Sequence, residues 1–269
     1  MKIGAQLFSL RRYLKDETGY RRVFAAVRDM GAEVVQLSAA GGNLAVNSGQ
    51  IAAVSAEYGL PVCVTHSPVA RIKDDLARLA EEHLQFGCRS IGIGMMPKEY
   101  RTGRADDVRR FADFLNVTSE KLRQYGMSVA YHNHGFEFKP TDGGRPYDIL
   151  ISETDTAVKF IPDTFWIKAA GCDISEYLAK LNGRVETVHF KDYGKIFGLP
   201  IFRAVGKGDI DFVAVTKECE AIGARYAVAE LDVSPSPLKS MAFSLETMKR
   251  IRGEMADDLP RNGLHSIAN

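Results

Sequence analysis

Charge of one sign is what this chain most lacks. Its 35 lysines and arginines stand against 34 aspartates and glutamates, a net charge of +1, and no basic block interrupts the balance. A whole-molecule field that would recruit nucleic acid or another polyanion is absent, so no nucleic-acid partner is expected. Long apolar runs are missing too. No stretch reaches the length of a bilayer-spanning helix, and Met1-Lys2-Ile3-Gly4-Ala5-Gln6 is not a basic segment leading into a long apolar one. The expectation is a soluble, cytoplasmic protein with no membrane partner. Cysteine is scarce: Cys63, Cys88, Cys172 and Cys219 make no CxxC pair and sit in or beside apolar stretches, which reads as reduced core thiols and agrees with that compartment. No GxGxxG turn follows the first apolar run, and no low-complexity linker divides the chain. One domain over residues 1–269 is therefore the simpler organisation, with a polar, irregular tail at 257–269 that packs on the exterior or frays.

What is present is repetition. An amphipathic helical pattern stops at a glycine, and an apolar strand-like run begins within a few residues. The junction recurs at Gly31, Gly59, Gly87, Gly126, Gly183 and Gly223, each ahead of a run such as Val62-Cys63-Val64-Thr65 or Tyr226-Ala227-Val228-Ala229. Adding 2–6 and 158–161 makes eight candidate strands, separated by segments such as 69–82 and 105–124 with apolar residues at three-to-four spacing. With 45% hydrophobic residues to fill a large core, eight βα units predict an α/β fold of the (β/α)8 TIM-barrel type. A doubly wound open sheet is the structural alternative, and it lacks its Gly-rich phosphate turn.

In such a barrel, chemistry collects where strands end and βα loops begin. The strand ends here are polar. They read Gln6, Gln36, His66, His132 with His134, Asp163, His189 with Lys191, and Glu230 with Asp232, while the fourth strand ends in Gly92 and Gly94, which leave room. The segment Tyr131-His132-Asn133-His134-Gly135-Phe136-Glu137-Phe138 holds two of the chain's six histidines, two residues apart, where an extended backbone points both rings to one side. Divalent cations need carboxylate oxygens and imidazole nitrogens converging from several directions. Asp163, His189 and Glu230 offer that from three neighbouring strands, and His132 completes four ligands. Taken singly, each is equally a helix cap, an ion pair or a satisfied core histidine; four at one level of adjacent strands are harder to explain so.

With these residues assembled, the chain resembles the xylose isomerase-like TIM-barrel superfamily, the sugar phosphate isomerase/epimerase group. The resemblance covers nearly the whole chain and is carried by residues 131–138, Asp163-Thr164-Phe165-Trp166, Val188-His189-Phe190-Lys191-Asp192 and Gly206-Lys207-Gly208-Asp209-Ile210-Asp211. It implies one divalent metal ion (Mn2+, Mg2+, Co2+ or Zn2+) held by Asp163, His189, Glu230 and a strand-five ligand. Many relatives carry glutamate at that last position, where this chain has His132.

The implied chemistry is proton movement beside a carbonyl, through an enediolate, on a sugar or keto-sugar. Glu230 is the base the resemblance favours, Lys191 an electrostatic stabiliser or proton donor, and Glu137 a second acid or base, or a group orienting His132 or His134. His66 and His134 offer hydrogen bonds to substrate hydroxyls. Arg203, read as lying in a long loop, offers a fork for a carboxylate, phosphate or hydroxyl. Trp166, the only tryptophan, is either a wall for a sugar ring or a core residue, and Gln6 and Gln36 are weaker candidates. Reprotonation of the enediolate gives isomerisation or epimerisation; loss of a β-substituent gives a lyase of the inosose dehydratase or 3-keto-glycoside eliminase type. A non-catalytic sugar-binding barrel is the third reading, and an endonuclease IV-like activity a distant fourth. The resemblance also implies a homo-oligomer.

Overall fold

A computed structural model describes residues 1–38 and 46–257. The strands, in chain order, are β1 (Lys2–Gln6), β2 (Val34–Ser38), β3 (Val62–His66), β4 (Ser90–Ile93), β5 (Ser128–His132), β6 (Lys159–Ile161), β7 (Thr187–Phe190), β8 (Asp192–Ile196), β9 (Leu199–Arg203) and β10 (Tyr226–Ala229). Eight of them form one parallel sheet in the order β6-β5-β4-β3-β2-β1-β10-β7. Single bridges Phe160↔Val185 and Asp163↔His189 join its two edges, so the sheet closes into the expected barrel. No helix among the described residues is long and apolar enough to cross a membrane.

Among the described residues, ten α-helices surround the barrel: α1 (Glu17–Asp29), α2 (Ser48–Tyr58), α3 (Val69–Asp74), α4 (Leu76–Gln85), α5 (Ala105–Arg123), α6 (Pro146–Glu153), α7 (Thr164–Ala169), α8 (Ile174–Lys180), α9 (Phe212–Ala221) and α10 (Pro237–Asp257). Their starts follow local chemistry. Asp16 accepts the Gly19 amide ahead of α1, and Asn47 with Gln50 forms a reciprocal capping box on α2. In α5, Val108, Phe111, Ala112, Leu115 and Leu122 lie at helical spacing and are buried. All six junction glycines take positive φ, from 62° at Gly126 to 89° at Gly31. The single helical segment expected at 69–82 is instead two, broken at Asp75, whose φ of −151° and ψ of 54° are not helical. The tail expected from 257 onward begins as the last residue of α10, and the rest of it lies outside the described residues. Cys63, Cys88 and Cys219 are buried free thiols, whereas Cys172 is partly exposed.

The barrel interior has two layers that follow from the two-residue period of a strand. Val34, Val64, Ala130, Ile161 and Val228 pack into one small apolar cluster. Two residues further along the chain from each stand Gln36, His66, His132, Asp163 and Glu230. Stepping by two keeps the side chain on the same face, so the apolar layer carries the polar one directly above it. Gly4 and Gly92 sit in this arrangement without side chains. A Cβ at Gly4 would meet the Val34 carbonyl oxygen at 2.3 Å, and one at Gly92 would meet the Thr65 carbonyl oxygen at 2.2 Å.

An antiparallel hairpin, β8 with β9, leaves the barrel immediately after β7. The sequence was expected to run there as a long loop. Asp192 ties the base of this excursion: its fully buried carboxylate accepts the backbone amides of Tyr193, Gly206, Gly208 and Ile210 at 2.7, 2.9, 2.8 and 3.2 Å. Gly208 is required for that approach, because a Cβ there would meet the Tyr193 carbonyl oxygen at 2.1 Å. Removing the carboxylate leaves four backbone donors, those of Tyr193 and Ile210 buried, without their acceptor. Asp192→Ala is expected to destabilise the protein by about 3 kcal/mol and to speed amide exchange at Gly206, Gly208 and Ile210. Urea unfolding with hydrogen exchange checks both, and unchanged protection at those three amides would count against the knot.

Candidate metal centre at the barrel mouth

His132, Asp163, His189 and Glu230 each present one donor atom, and these atoms lie within 4.8 Å of one another, all buried. Each comes from the end of a different strand, so the cluster is a product of barrel closure. The Asp163 carboxylate divides its oxygens: Oδ1 accepts the Trp166 amide at 3.1 Å and caps α7, while Oδ2 is buried without a hydrogen-bond partner. His132 Nδ1 is likewise buried and unpartnered. Buried oxygen and nitrogen atoms left without partners inside a cluster of two carboxylates and two imidazoles are the donor set that a divalent cation satisfies, and the residues fit such an ion. Burial, reinforced by the charge on His189, holds the His132 imidazole well below the usual histidine range and keeps it neutral.

His189 is held at both nitrogens. Nε2 lies 2.8 Å from Gln36 Oε1, and Nδ1 lies 2.9 Å from Glu230 Oε2 and 3.8 Å from Asp163 Oδ2. An amide oxygen can only accept, so Nε2 carries a proton and Nδ1 is the nitrogen turned toward the cluster. Burial works against a charge on this ring, but the Glu230 and Asp163 carboxylates outweigh it and raise it to about 9.

Lys191 enters the same cluster from just beyond β7. Its ammonium lies 2.7 Å from Asp232 Oδ2, 3.4 Å from Glu230 Oε2 and 3.6 Å from Asp163 Oδ2, and the residue is 1% exposed. The aromatic rings of Phe202 and Trp166 stand 4.8 and 5.5 Å away. Burial disfavours the ammonium, yet Glu230, Asp163 and Asp232 hold it above the ordinary lysine range. In the same network, burial would raise Glu230, but Lys191 and His189 pull it well below the usual carboxylate range. Asp232 moves the other way, pushed by burial and by the Glu230 charge up to about 6.

A cavity of about 340 Å³ opens above these groups, lined by His66, His132, His134, Lys191, Glu230 and Asp232 together with Phe8, Ser38 and Met95. His66 and His134, expected beside a substrate, are both on its wall. The room expected from Gly94 is taken by His66, whose Nδ1 lies 2.7 Å from where a Cβ would be. Burial takes His66 down to about 3 and His134 to about 4, so both are neutral hydrogen-bonding groups. Trp166 backs the site, 5.6 Å from the His134 ring, and packs against Phe165 and Phe202.

Three expected residues are placed elsewhere. Gln6 is fully buried, donating to Ser38 Oγ at 2.9 Å and accepting the Phe8 amide at 3.1 Å, which consumes its amide group. Arg203 is not in a loop; it is the last residue of β9, and its side chain lies along Gly194 of the hairpin, away from the cavity. Glu137, expected as an acid or base, accepts the Tyr131 hydroxyl and, at 2.8 Å, the His134 amide, so it shapes the turn after β5 and does not line the cavity. Conversely, Gln36 was a weak candidate and proves to orient His189. Asn133 carries no sequence signal of its role, which is to accept the Asp163 amide on Oδ1 at 3.0 Å. Asp232 reads in the sequence only as a strand-end residue and Met95 carries no signal, yet both line the cavity.

A profile of the xylose isomerase-like TIM barrel family matches residues 24–251. The chain belongs to that family. Among solved structures of this barrel, a sugar phosphate isomerase/epimerase from Parabacteroides distasonis is 18% identical with a TM-score of 0.76, covering 92% of this chain and 93% of that one. A probable 3-DHS dehydratase from Bacillus anthracis is 14% identical with a TM-score of 0.72, covering 93% and 99%. The 3-keto-D-glucoside 4-epimerase from E. coli, in apo form, is 17% identical with a TM-score of 0.66, again covering 93% and 99%. At these identities the likeness is one of fold. A search of curated proteins returned no match.

Glu137 makes a measurable signature in this barrel. Burial raises its carboxyl from the ordinary 4.5 to about 7, even though the Tyr131 hydroxyl and the His134 amide favour the ionised form. A carboxyl raised on folding contributes stability that is complete below pH 4.5 and is lost as the pH climbs through 7. The loss amounts to roughly 3 kcal/mol by pH 8. Glu137→Gln is expected to flatten that part of the pH–stability profile, read as the difference in Tm between pH 5 and pH 8; a variant with the parent's slope would assign the effect to another group.

Proposed function

We propose that the chain is a divalent-metal-dependent isomerase or epimerase that acts on a sugar or keto-sugar through an enediolate. The observation that carries the reading is the convergence of His132, Asp163, His189 and Glu230 within 4.8 Å, with the Lys191 ammonium beside them. Mn2+, Mg2+, Co2+ or Zn2+ held by those four would supply Lewis-acid stabilisation of negative charge developing beside a carbonyl. The chain's own residues do the rest. Lys191 stays protonated and places its positive charge where a substrate oxygen gains negative charge. Glu230 stays ionised and accepts a proton from the neighbouring carbon, while Asp232, titrating at about 6 and bonded to Lys191, exchanges that proton with solvent near neutrality. His66 and His134, neutral and on the cavity wall, take substrate hydroxyls. Trp166 and Phe202 back Lys191 and keep water from its ammonium.

One feature favours a second reading, a lyase. The carboxylates available for proton transfer, Glu230 and Asp232, both come from the end of β10, and the strand-five position carries neutral His132 in place of an acid. A planar enediolate would then be served by acid–base groups from one face, which suits isomerisation or β-elimination better than inversion at carbon. Both an epimerase and a probable dehydratase occur on this barrel among the neighbours.

The test is a screen of keto-sugars, inososes and 3-keto-glycosides in D2O by NMR. Deuterium entering a substrate carbon without loss of water supports the isomerase or epimerase. A new enone or diketone chromophore supports the lyase. Sugar binding that survives chelation, with no turnover on the panel, would leave a binding barrel.

Metal content offers a separate measurement. Asp163→Ala and His189→Ala are each expected to lose the bound ion, measured by elemental analysis; full occupancy in both variants would remove this ligand set. Gln36→Leu keeps the ligands and removes the acceptor that orients His189, so metal affinity is expected to fall about 10- to 100-fold with the fold intact. Competition with a fluorescent chelator reads that change.

A further inference from the structure

A second cavity, of about 580 Å³, lies beside the metal cavity on the side of β4 and β5, and nothing in the chemistry above uses it. Its size falls in the range of small-molecule sites. Buried Met96 and Val108 lie among its lining residues with Tyr100, Phe136 and Pro140, and the charged residues on it are Lys98, Arg101 and Lys139, all cationic. The nearby carboxylates have other hydrogen-bond or ion-pair partners, and only Glu137 feels the Arg101 charge, at longer range. Glu99 pairs with Lys73 at 3.3 Å, Asp107 with Arg110 at 2.6 Å, Asp142 accepts the Ala105 amide at 2.6 Å, and Glu137 holds Tyr131 and the His134 amide. Among the described residues, Lys98, Arg101 and Lys139 form no ion pair with a carboxylate.

Arg101 is the telling group. Its guanidinium stands 4.9 Å above the Phe136 ring, Nη1 reaches only the Met95 sulfur at 3.5 Å, and Nε is buried with no acceptor at all. A buried guanidinium donor without an acceptor is costly, and the planar fork suits an oxyanion. The cavity also adjoins the metal centre through named contacts. Met95 lines the metal cavity and touches Arg101, and the Phe136 ring stacks on His134 at 6.0 Å, which in turn lies 4.6 Å from His132.

We propose that this cavity binds a small organic anion, a carboxylate or phosphate carried on an apolar or aromatic body, with Arg101 on the oxyanion and Phe136 and Tyr100 against the body. Resting on the function proposed above, that anion is the non-reacting end of an elongated substrate whose reacting carbons lie over His132 and Glu230. Lys98 and Lys139, exposed on the same cavity, draw the anionic end in and leave its orientation to Arg101.

Phenyl phosphate, benzoate and neutral phenyl β-glucoside serve as probes, titrated by NMR into the whole protein, both metal-loaded and after chelation. The two anions are expected to bind both forms alike and to shift resonances of Phe136 and Tyr100, with the glucoside at least about tenfold weaker. The stronger of the two anions identifies the oxyanion. Arg101→Gln and, separately, Lys139→Ala are to be checked by circular dichroism. Arg101→Gln is expected to weaken the anions about tenfold or more, and Lys139→Ala by less, with metal content unchanged in both. Equal affinity for all three probes, unchanged affinity in Arg101→Gln, or binding that vanishes on chelation would overturn the proposal. Anion binding with no deuterium exchange on any sugar would keep this site and remove the isomerase reading.

Discussion

Asp163 and Glu230 are 0% and 5% exposed, and carboxylates so placed need cations within reach or they would take up protons or unfold the mouth of the barrel. Lys191 and His189 meet that need in the structure. This charge cluster also lies across the thinnest seam of the sheet. Between β6 and β7 there is no continuous ladder, only the single bridges Phe160↔Val185 and Asp163↔His189. The second of those bridges is made by two members of the cluster. Closure of the barrel and assembly of the site are therefore coupled: two of the four residues that present donor atoms, Asp163 and His189, also draw the last two strands together.

The same economy runs down through the interior. Because side chains on a strand return to the same face every second residue, the polar layer cannot be set without also setting the apolar layer beneath it. Val64 under His66, Ala130 under His132, Ile161 under Asp163 and Val228 under Glu230 form the floor on which the site stands. The floor closes the site from below, and the cavity opens above it. Within that setting, the His66 and His132 imidazoles lose their protons to burial, while His189 and Lys191 keep theirs through the carboxylates beside them.

The barrel was legible because six of its eight strands carry the same local signal, a glycine closing a helix ahead of an apolar run, and those signals add up. The four candidate ligands were legible for a related reason: strand ends are where a period-two pattern changes from apolar to polar, and His132, Asp163, His189 and Glu230 all fall there. What escaped was anything set by side chains reaching across strands. Gln36 looks like any strand-end amide until His189, from a strand three places away in the sheet, is seen against it. Glu137 follows two histidines in the chain, which suggested shared chemistry, yet its carboxylate turns inward to Tyr131. Arg203 shows the limit most plainly. Its run, Leu199-Pro200-Ile201-Phe202-Arg203, alternates weakly and begins beside a proline, so the hairpin that carries it away from the cavity gave little periodic signal.

The four amides on Asp192 give this hairpin the character of a detachable part. They gather both ends of the excursion at one carboxylate, so position 191 is held from its own side of the knot and residues 194–200 hang beyond it. At the far end Phe197 is fully exposed and takes a φ of +50° beside Gly198. Length and composition at that tip are insulated from the lysine at the site, while Phe202, nearer the base, still touches it. A lineage built on this barrel has a place to try new surface on the hairpin tip without disturbing the charges at the site.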